Sequence, residues 1–160
     1  MEQNARSPAR SGFGRGLEWA LVLAGAFLNS VIVVIFAVGQ AATPGVSALE
    51  NLYPLPLLYF IEILGLSFLA ILGLNAITPQ SNRGRWTQLF TWIAAGGLLA
   101  FVLLGGFSIG FYLIPGMLTF IAAGILADRR LRRNLAGHAA ILVVAAVVQV
   151  SIMLAAVASH

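Results

Sequence analysis

The feature that most constrains this chain is the alternation of long apolar stretches with three short clusters of arginine. All nine basic residues are arginines, and the chain contains no lysine. The clusters are Arg6, Arg10 and Arg15, then Arg83 and Arg85, then Arg129, Arg130, Arg132 and Arg133. In membrane proteins, arginine and lysine collect in the loops on the cytoplasmic side. The pattern therefore predicts a polytopic membrane protein whose three clusters share one side of the bilayer.

The composition excludes a water-soluble fold. Hydrophobic residues make up 60% of the chain and charged residues 9%, whereas soluble domains carry about 25% charged residues. The net charge of +4 does not indicate a nucleic-acid partner, because the basic residues flank apolar stretches and form no separate basic domain. The chain has no cysteine, so thiolate metal sites and cysteine nucleophiles are excluded.

The number of crossings follows from the uncharged stretch at 86–127. Its 42 residues carry no formal charge, and one crossing needs only about 20. Arg85 and Arg129 share a side only if this stretch is a hairpin, and the glycines at 105–110 permit a tight turn. Pro115 then falls early in the fourth span and is a candidate kink. With the three remaining apolar stretches, the total is five crossings.

The sequence predicts an all-α fold with a flexible cytoplasmic tail at 1–16 and one transmembrane bundle at 17–158. The predicted spans are about 17–39, 53–77, 86–106, 110–127 and 137–158. Five crossings place the N-terminus inside and the C-terminus outside. A cleaved secretory signal is the alternative for the first stretch, but its apolar core exceeds the roughly 7–15 residues of such signals.

Small residues are predicted to let the helices approach closely, because lipid tails give helices no ordinary hydrophobic reason to associate. Every span contains such residues. The candidate packing surfaces are Ala24-Gly25-Ala26, Gly65 and Gly73, Ala94 to Gly97, Ala122 to Gly124, and Ala145-Ala146 with Ala155-Ala156.

Glu62 is the one formal charge placed well inside a predicted span. It lies about nine residues, roughly 13 Å, from the outer end of the second span. A carboxylate at that depth is costly unless it is protonated, paired or facing water. Asn29 and Gln149 lie at similar depth, with Ser30 and Ser67 at neighbouring levels, so a polar layer of Glu62, Asn29 and Gln149 is predicted.

Three roles for this layer remain open. The layer pins the register of the helices, or Glu62 binds a proton or substrate during transport, or Glu62 faces a partner subunit.

The charges near the inner side have ordinary explanations. Glu18, beside Arg15 and Trp19, is expected to snorkel to the interface or to form a surface pair with arginine, and Asp128 is expected to be a helix-end charge in a basic loop. The run Arg129, Arg130, Arg132 and Arg133 is predicted to contact anionic lipid headgroups, although setting the topology already accounts for it. His138 lies too near the interface for a haem or pigment ligand, and we expect no metal or cofactor.

These observations predict a membrane protein without catalytic activity, because no nucleophile, acid and base converge. The preferred interpretation is a structural or accessory subunit of a larger membrane complex, which binds other membrane subunits or copies of itself within the lipid bilayer. The alternative is a proton- or ion-coupled transporter or channel component that uses Glu62. A prokaryotic plasma membrane is the expected location.

Overall fold

The computed structural model describes residues 9–42, 55–75, 83–105, 109–131 and 134–158. These ranges contain five helices: α1 (Ala9–Ala41), α2 (Leu55–Asn75), α3 (Arg83–Leu104), α4 (Ile109–Leu131) and α5 (Leu135–Ala158). The all-helical fold is confirmed for this part of the chain. Four helices contain segments long and apolar enough to cross a membrane, namely Gly14–Ala41, Pro56–Leu74, Ile109–Arg130 and Leu135–Ala155. The apolar segment of α3, Leu89–Leu104, is shorter.

The helix boundaries lie close to the predicted ones except at the start of α1. This helix begins at Ala9, so residues 9–16 are helical where a flexible tail was expected, and residues 1–8 lie outside the described ranges. Arginine is a good helix former. The first part of α1 also has a neighbour, since a Cβ built on Gly14 would contact Arg130 at the end of α4. Most residues of the predicted loops lie outside the described ranges.

Four helices form a closed ring in the order α1, α2, α3, α4, in which α1 packs against both α2 and α4. The fifth helix packs on the outside of this ring, almost entirely against α3. Protein therefore surrounds α3 on three sides, and its Ala94, Ala95 and Leu98 are completely buried.

Neighbouring helices of the ring run in opposite directions, whereas α5 runs parallel to α3, since Trp92 in the first half of α3 contacts His138 near the start of α5. Glu18 near the start of α1 contacts Arg130 at the end of α4, while Phe36 near the end of α1 contacts Tyr112 near the start of α4. The starts of α1, α3 and α5 and the ends of α2 and α4 thus lie at one end of the bundle. We call it the arginine-rich end, because all three arginine clusters adjoin it.

The turn between α3 and α4 lies where the glycines predict it. Gly105 N donates to Phe101 O at 2.8 Å, and Gly110 N donates to Gly105 O at 2.8 Å. A Cβ on Gly110 would overlap the backbone of Gly105, so no larger residue fits at position 110. Residues 106–108 lie outside the described ranges.

Glycines in the helices allow the backbones to approach closely at several crossings. At each such position a Cβ would overlap an atom of a neighbouring helix. The pairs are Gly25 with Phe120, Gly96 with Ala145, Gly97 with Leu66, Gly116 with Asn29, and Gly124 with Trp92. Gly65 is different, because no atom lies within 4 Å of the position its Cβ would take. The prediction that Gly65 is a packing surface is therefore wrong for contacts among the described residues.

Candidate functional site

The first polar site is a buried ion pair at the arginine-rich end, between Glu18 of α1 and Arg130 of α4. Arg130 Nε donates to Glu18 Oε1 at 2.7 Å, and Arg130 Nη2 donates to Glu18 Oε2 at 2.8 Å. The Glu18 side chain is 1% exposed and that of Arg130 is 23% exposed. Two parallel N–H···O bonds fix the orientation of both planar groups. The pair therefore fastens the start of α1 to the end of α4.

Glu18 pairs with an arginine, but the expectation that it snorkels or lies in a surface pair is wrong, because Glu18 is buried and faces the interior of the bundle. A helix of 3.6 residues per turn places residues three or four apart on one face. The buried positions on this face of α1 are Glu18, Val22, Ala26, Asn29 and Val33. Glu18 thus continues the buried face by one turn towards the arginine-rich end, where only a buried cation compensates its charge.

The second polar site joins the end of α4 to the start of α5. His138 Nδ1 lies 2.8 Å from both carboxylate oxygens of Asp128. The Asp128 side chain is 1% exposed. Asp128 is a charge at the end of a helix, as predicted, but its expected place in a basic loop is wrong, because α4 continues to Leu131 and Asp128 lies on its buried face. The His138 ring also lies 6.3 Å from the ring of Trp92 in α3, at an interplanar angle of 36°.

Glu18, Arg130, Asp128 and His138 form what we call the charged cluster. Each acid in it contacts a basic group on a different helix, so the cluster connects α1, α4 and α5. Among the described residues, no three His, Asp or Glu side chains lie close enough together to hold a metal ion. The geometry fits charge compensation between helices, which fixes their arrangement.

The third polar site is centred on Asn29, which is completely buried in α1. Asn29 Nδ2 donates to Ser67 Oγ of α2 at 3.1 Å, and Ser67 Oγ donates to Ile63 O at 3.0 Å. Asn29 Oδ1 has no conventional hydrogen-bond partner. A Cβ on Gly116 would overlap this oxygen, so an α-hydrogen of Gly116 points towards it and makes a weak Cα–H···O contact. Asn29 thus connects α1 to both α2 and α4.

The fourth polar site joins α2 to α5. Gln149 Nε2 donates a hydrogen bond to Glu62 Oε1, and both side chains are half-buried. Both helices pack against α3, so this hydrogen bond passes beside α3 and closes the cleft between α2 and α5. Glu62 lies at the side of the four-helix ring and not along its axis.

A cavity of about 320 Å³ lies at the end of the bundle opposite the arginine-rich end, about one helical turn beyond this pair along α2 and α5. It is lined by Tyr59, Phe101, Leu104, Gly105, Ile109, Met153 and Leu154. Tyr59 and Phe101 are in edge-to-face contact, with ring centroids 5.8 Å apart. The lining is apolar apart from the Tyr59 hydroxyl and backbone groups, so the cavity suits an apolar or aromatic guest.

The structure brings together two of the three residues of the predicted polar layer. Glu62 contacts Gln149, while Asn29 contacts Ser67 instead. Ser67 follows Glu62 by five positions, which turns it about 140° around the axis of α2. Glu62 therefore faces α5 while Ser67 faces α1, and one layer becomes two separate pairs.

The predicted lipid-binding arginines have different surroundings. Arg129 is exposed and can reach headgroups, so lipid contact stays a prediction for it. The guanidinium of Arg130 is engaged with Glu18. Arg132 and Arg133 lie outside the described residues.

The charged cluster was missed at the sequence level, although a signal for it was present. Glu18 and Asp128 are the acids next to the arginine-rich end, and each is in phase with a buried helix face. Comparisons with known proteins give no further constraint: no family model matches the chain, and no curated protein or solved structure matches it.

Proposed function

We propose that this is an integral membrane protein that crosses a prokaryotic plasma membrane five times, with the arginine-rich end in the cytoplasm. The position of all three arginine clusters next to one end supports this orientation. Although its apolar segment is short, α3 has 22 residues and is about 33 Å long, comparable with the roughly 30 Å hydrocarbon core. The C-terminus then lies outside.

The function we propose is that of a non-catalytic structural or accessory subunit of a larger membrane complex. The observation that supports this proposal is the lack of close contacts at Gly65 among the described residues. Glycine inside a helix costs roughly 0.8–1 kcal/mol relative to alanine, and five other helix glycines offset it through close contacts within the chain. Among the described helix glycines, Gly65, Gly16 and Gly39 have no such contact, but Gly16 and Gly39 lie towards the ends of α1 whereas Gly65 lies in the middle of α2. We therefore expect Gly65 to allow a helix of another subunit to pack closely against α2.

The interior of the bundle also supports a structural role. Its largest completely buried side chains include Phe120, Ile63, Leu98 and Leu113, so the described interior is mainly apolar. Buried polar side chains in the described part of the chain mostly bind one another across helices. These residues therefore line no continuous polar path along the axis of the ring.

Replacing Gly65 with leucine is expected to release the partner subunit without unfolding the chain. The new side chain enters open space within this chain but blocks close approach by a second helix. Gly39→Leu is the matched control, because Gly39 is also exposed, in α1, with no atom near its Cβ position. Both variants and the native chain are purified in mild detergent, and the stoichiometry of the co-purifying subunits is measured.

We expect co-purification to fall at least about tenfold for Gly65→Leu and to stay unchanged for Gly39→Leu, with equal melting temperatures for the two variants. Equal retention of the same subunits by both variants contradicts the proposal. So does a native chain that purifies as a monomer.

Proton- or ion-coupled transport through Glu62 is a second candidate, favoured by one observation. Glu62 is half-buried within α2, and its described partner is the neutral amide of Gln149 and not a cation. Glu62→Gln keeps a side chain able to bond Gln149 but removes the ionisable group. If Glu62 carries protons, liposomes that contain this variant are expected to show no more proton flux than empty liposomes. Equal flux from both proteins excludes this candidate.

A further inference from the structure

We propose that the cavity between α2 and α5, together with Glu62, binds a small hydrophobic organic cation. Its apolar part lies in the cavity of about 320 Å³, and its positive group contacts the Glu62 carboxylate. This binding site goes beyond the role of a structural subunit. It shares Glu62 with the transport candidate but requires no flux.

The helix geometry places the carboxylate next to the cavity. Tyr59, which lines the cavity, precedes Glu62 by three positions on the same face of α2, a rise of about 4.5 Å. On α5, Met153 lines the cavity and follows Gln149 by four positions, a rise of about 6 Å. The Glu62–Gln149 hydrogen bond therefore closes the end of the cavity that faces the middle of the bundle, within reach of a bound molecule.

The charge distribution favours a cation as the guest. All nine arginines belong to clusters that adjoin the opposite end of the bundle or its tail, so no basic residue near Glu62 in the sequence supplies a counter-charge. The amide of Gln149 donates one hydrogen bond and leaves the formal charge of the carboxylate uncompensated. A carboxylate in an apolar setting gains most from a cation that carries its own apolar groups, because such an ion loses little hydration on entry.

The aromatic residues of the cavity also favour a cationic guest. Tyr59 and Phe101 meet edge to face, and ring faces of this kind attract quaternary ammonium groups. Met153 adds a polarizable side chain to the wall. A quaternary ammonium compound with one aromatic ring thus matches the carboxylate, the rings and the size of the cavity.

The test uses the full chain in nanodiscs of phosphatidylglycerol, which contains no choline. Binding of radiolabelled benzyltrimethylammonium is measured by equilibrium dialysis, and empty nanodiscs are subtracted. Unlabelled neopentylbenzene, in which carbon replaces the charged nitrogen, is the neutral competitor of the same shape. We expect one saturable site per chain, and we expect neopentylbenzene to compete at least about tenfold less well than unlabelled benzyltrimethylammonium.

Three variants locate the site. Glu62→Gln is expected to weaken binding at least about tenfold by removing the charge. Leu154→Trp is expected to abolish it by filling the cavity, whereas Ile152→Trp is expected to leave it unchanged. Leu154 and Ile152 are similarly exposed, at 56% and 54%, so neither change disturbs the core. Of these two residues, Leu154 lines the cavity.

Several outcomes overturn the proposal. Equal competition by neopentylbenzene shows an apolar cavity without cation preference, and unchanged binding to Glu62→Gln removes the role of the carboxylate. Loss of binding in phosphatidylcholine nanodiscs identifies a lipid headgroup as the occupant in place of a free cation. Absence of saturable binding with normal subunit co-purification rejects the site while leaving the structural role intact.

Discussion

Replacing Arg130 with glutamine is expected to lower the free energy of unfolding by about 3–5 kcal/mol, because it leaves a buried carboxylate without its cation. Glu18 is 1% exposed, and both its oxygens accept hydrogen bonds from Arg130. Glutamine donates at most two hydrogen bonds from one nitrogen and carries no charge. It therefore restores neither the bidentate geometry nor the charge balance.

The adjacent Arg129 supplies the matched control. It has the same charge, the same helix and nearly the same depth, but its side chain is exposed. Arg129→Gln is therefore expected to change stability by less than about 0.5 kcal/mol. Unfolding is followed by helical circular dichroism in mixed micelles as the fraction of denaturing detergent is raised. Equal destabilisation by the two changes contradicts the assignment.

A double variant tests whether the cost comes from the pair itself. Removing both charges with Glu18→Gln and Arg130→Gln leaves no buried ion without a partner. We expect this protein to be more stable than Arg130→Gln alone, since the two changes act on one interaction and are not additive. A double variant that loses the sum of the two single effects shows that the side chains act independently.

The sequence predicts the helices better than the contacts, and the polar residues show why. Hydropathy and arginine position predict where each apolar helix lies, and counting residues from the helix ends places Glu62 and Gln149 at similar heights, where a hydrogen bond joins them. Depth gives no information about which way a side chain faces. Asn29 lies at a similar level, yet it faces Ser67 and Gly116, because the order of helices around the ring decides the neighbours.

The glycines show the same limit. Gly65 and Gly97 look alike in the sequence, each within an apolar helix, but Gly97 contacts Leu66 while Gly65 contacts no other helix among the described residues. The burial of Glu18 could have been predicted from the sequence, because its spacing from Val22 and Asn29 puts it on a buried face.

The partner of Glu18 could not have been predicted, since Arg130 is 112 positions away and the pair forms only because α1 and α4 are adjacent.

Gly96 is the position where one added side chain is expected to detach a whole helix. A Cβ there would overlap the backbone carbonyl of Leu142 and the side chain of Ala145 in α5. A backbone carbonyl cannot change rotamer to make room, so α5 itself must move away from α3. Apart from the His138–Asp128 and Gln149–Glu62 contacts, α5 packs almost entirely against α3, so Gly96→Leu is expected to separate it from the ring and to break the Glu62–Gln149 hydrogen bond.

The absence of cysteine makes this separation measurable with introduced cysteine pairs. Leu103→Cys with Val150→Cys reports contact between α3 and α5, because both positions line the groove between these helices. Phe36→Cys with Tyr112→Cys reports whether α1 and α4 stay in contact within the ring, since these two residues touch.

In the Gly96→Leu background we expect crosslinking of the α3–α5 pair to fall at least about fivefold while crosslinking of the α1–α4 pair is unaffected. In the Gly65→Leu background both pairs should crosslink as in the native chain, because that side chain meets nothing within the bundle. Loss of both crosslinks in Gly96→Leu would mean that α5 is required for the ring, and retention of both would mean that the α3–α5 contact adapts to the larger residue.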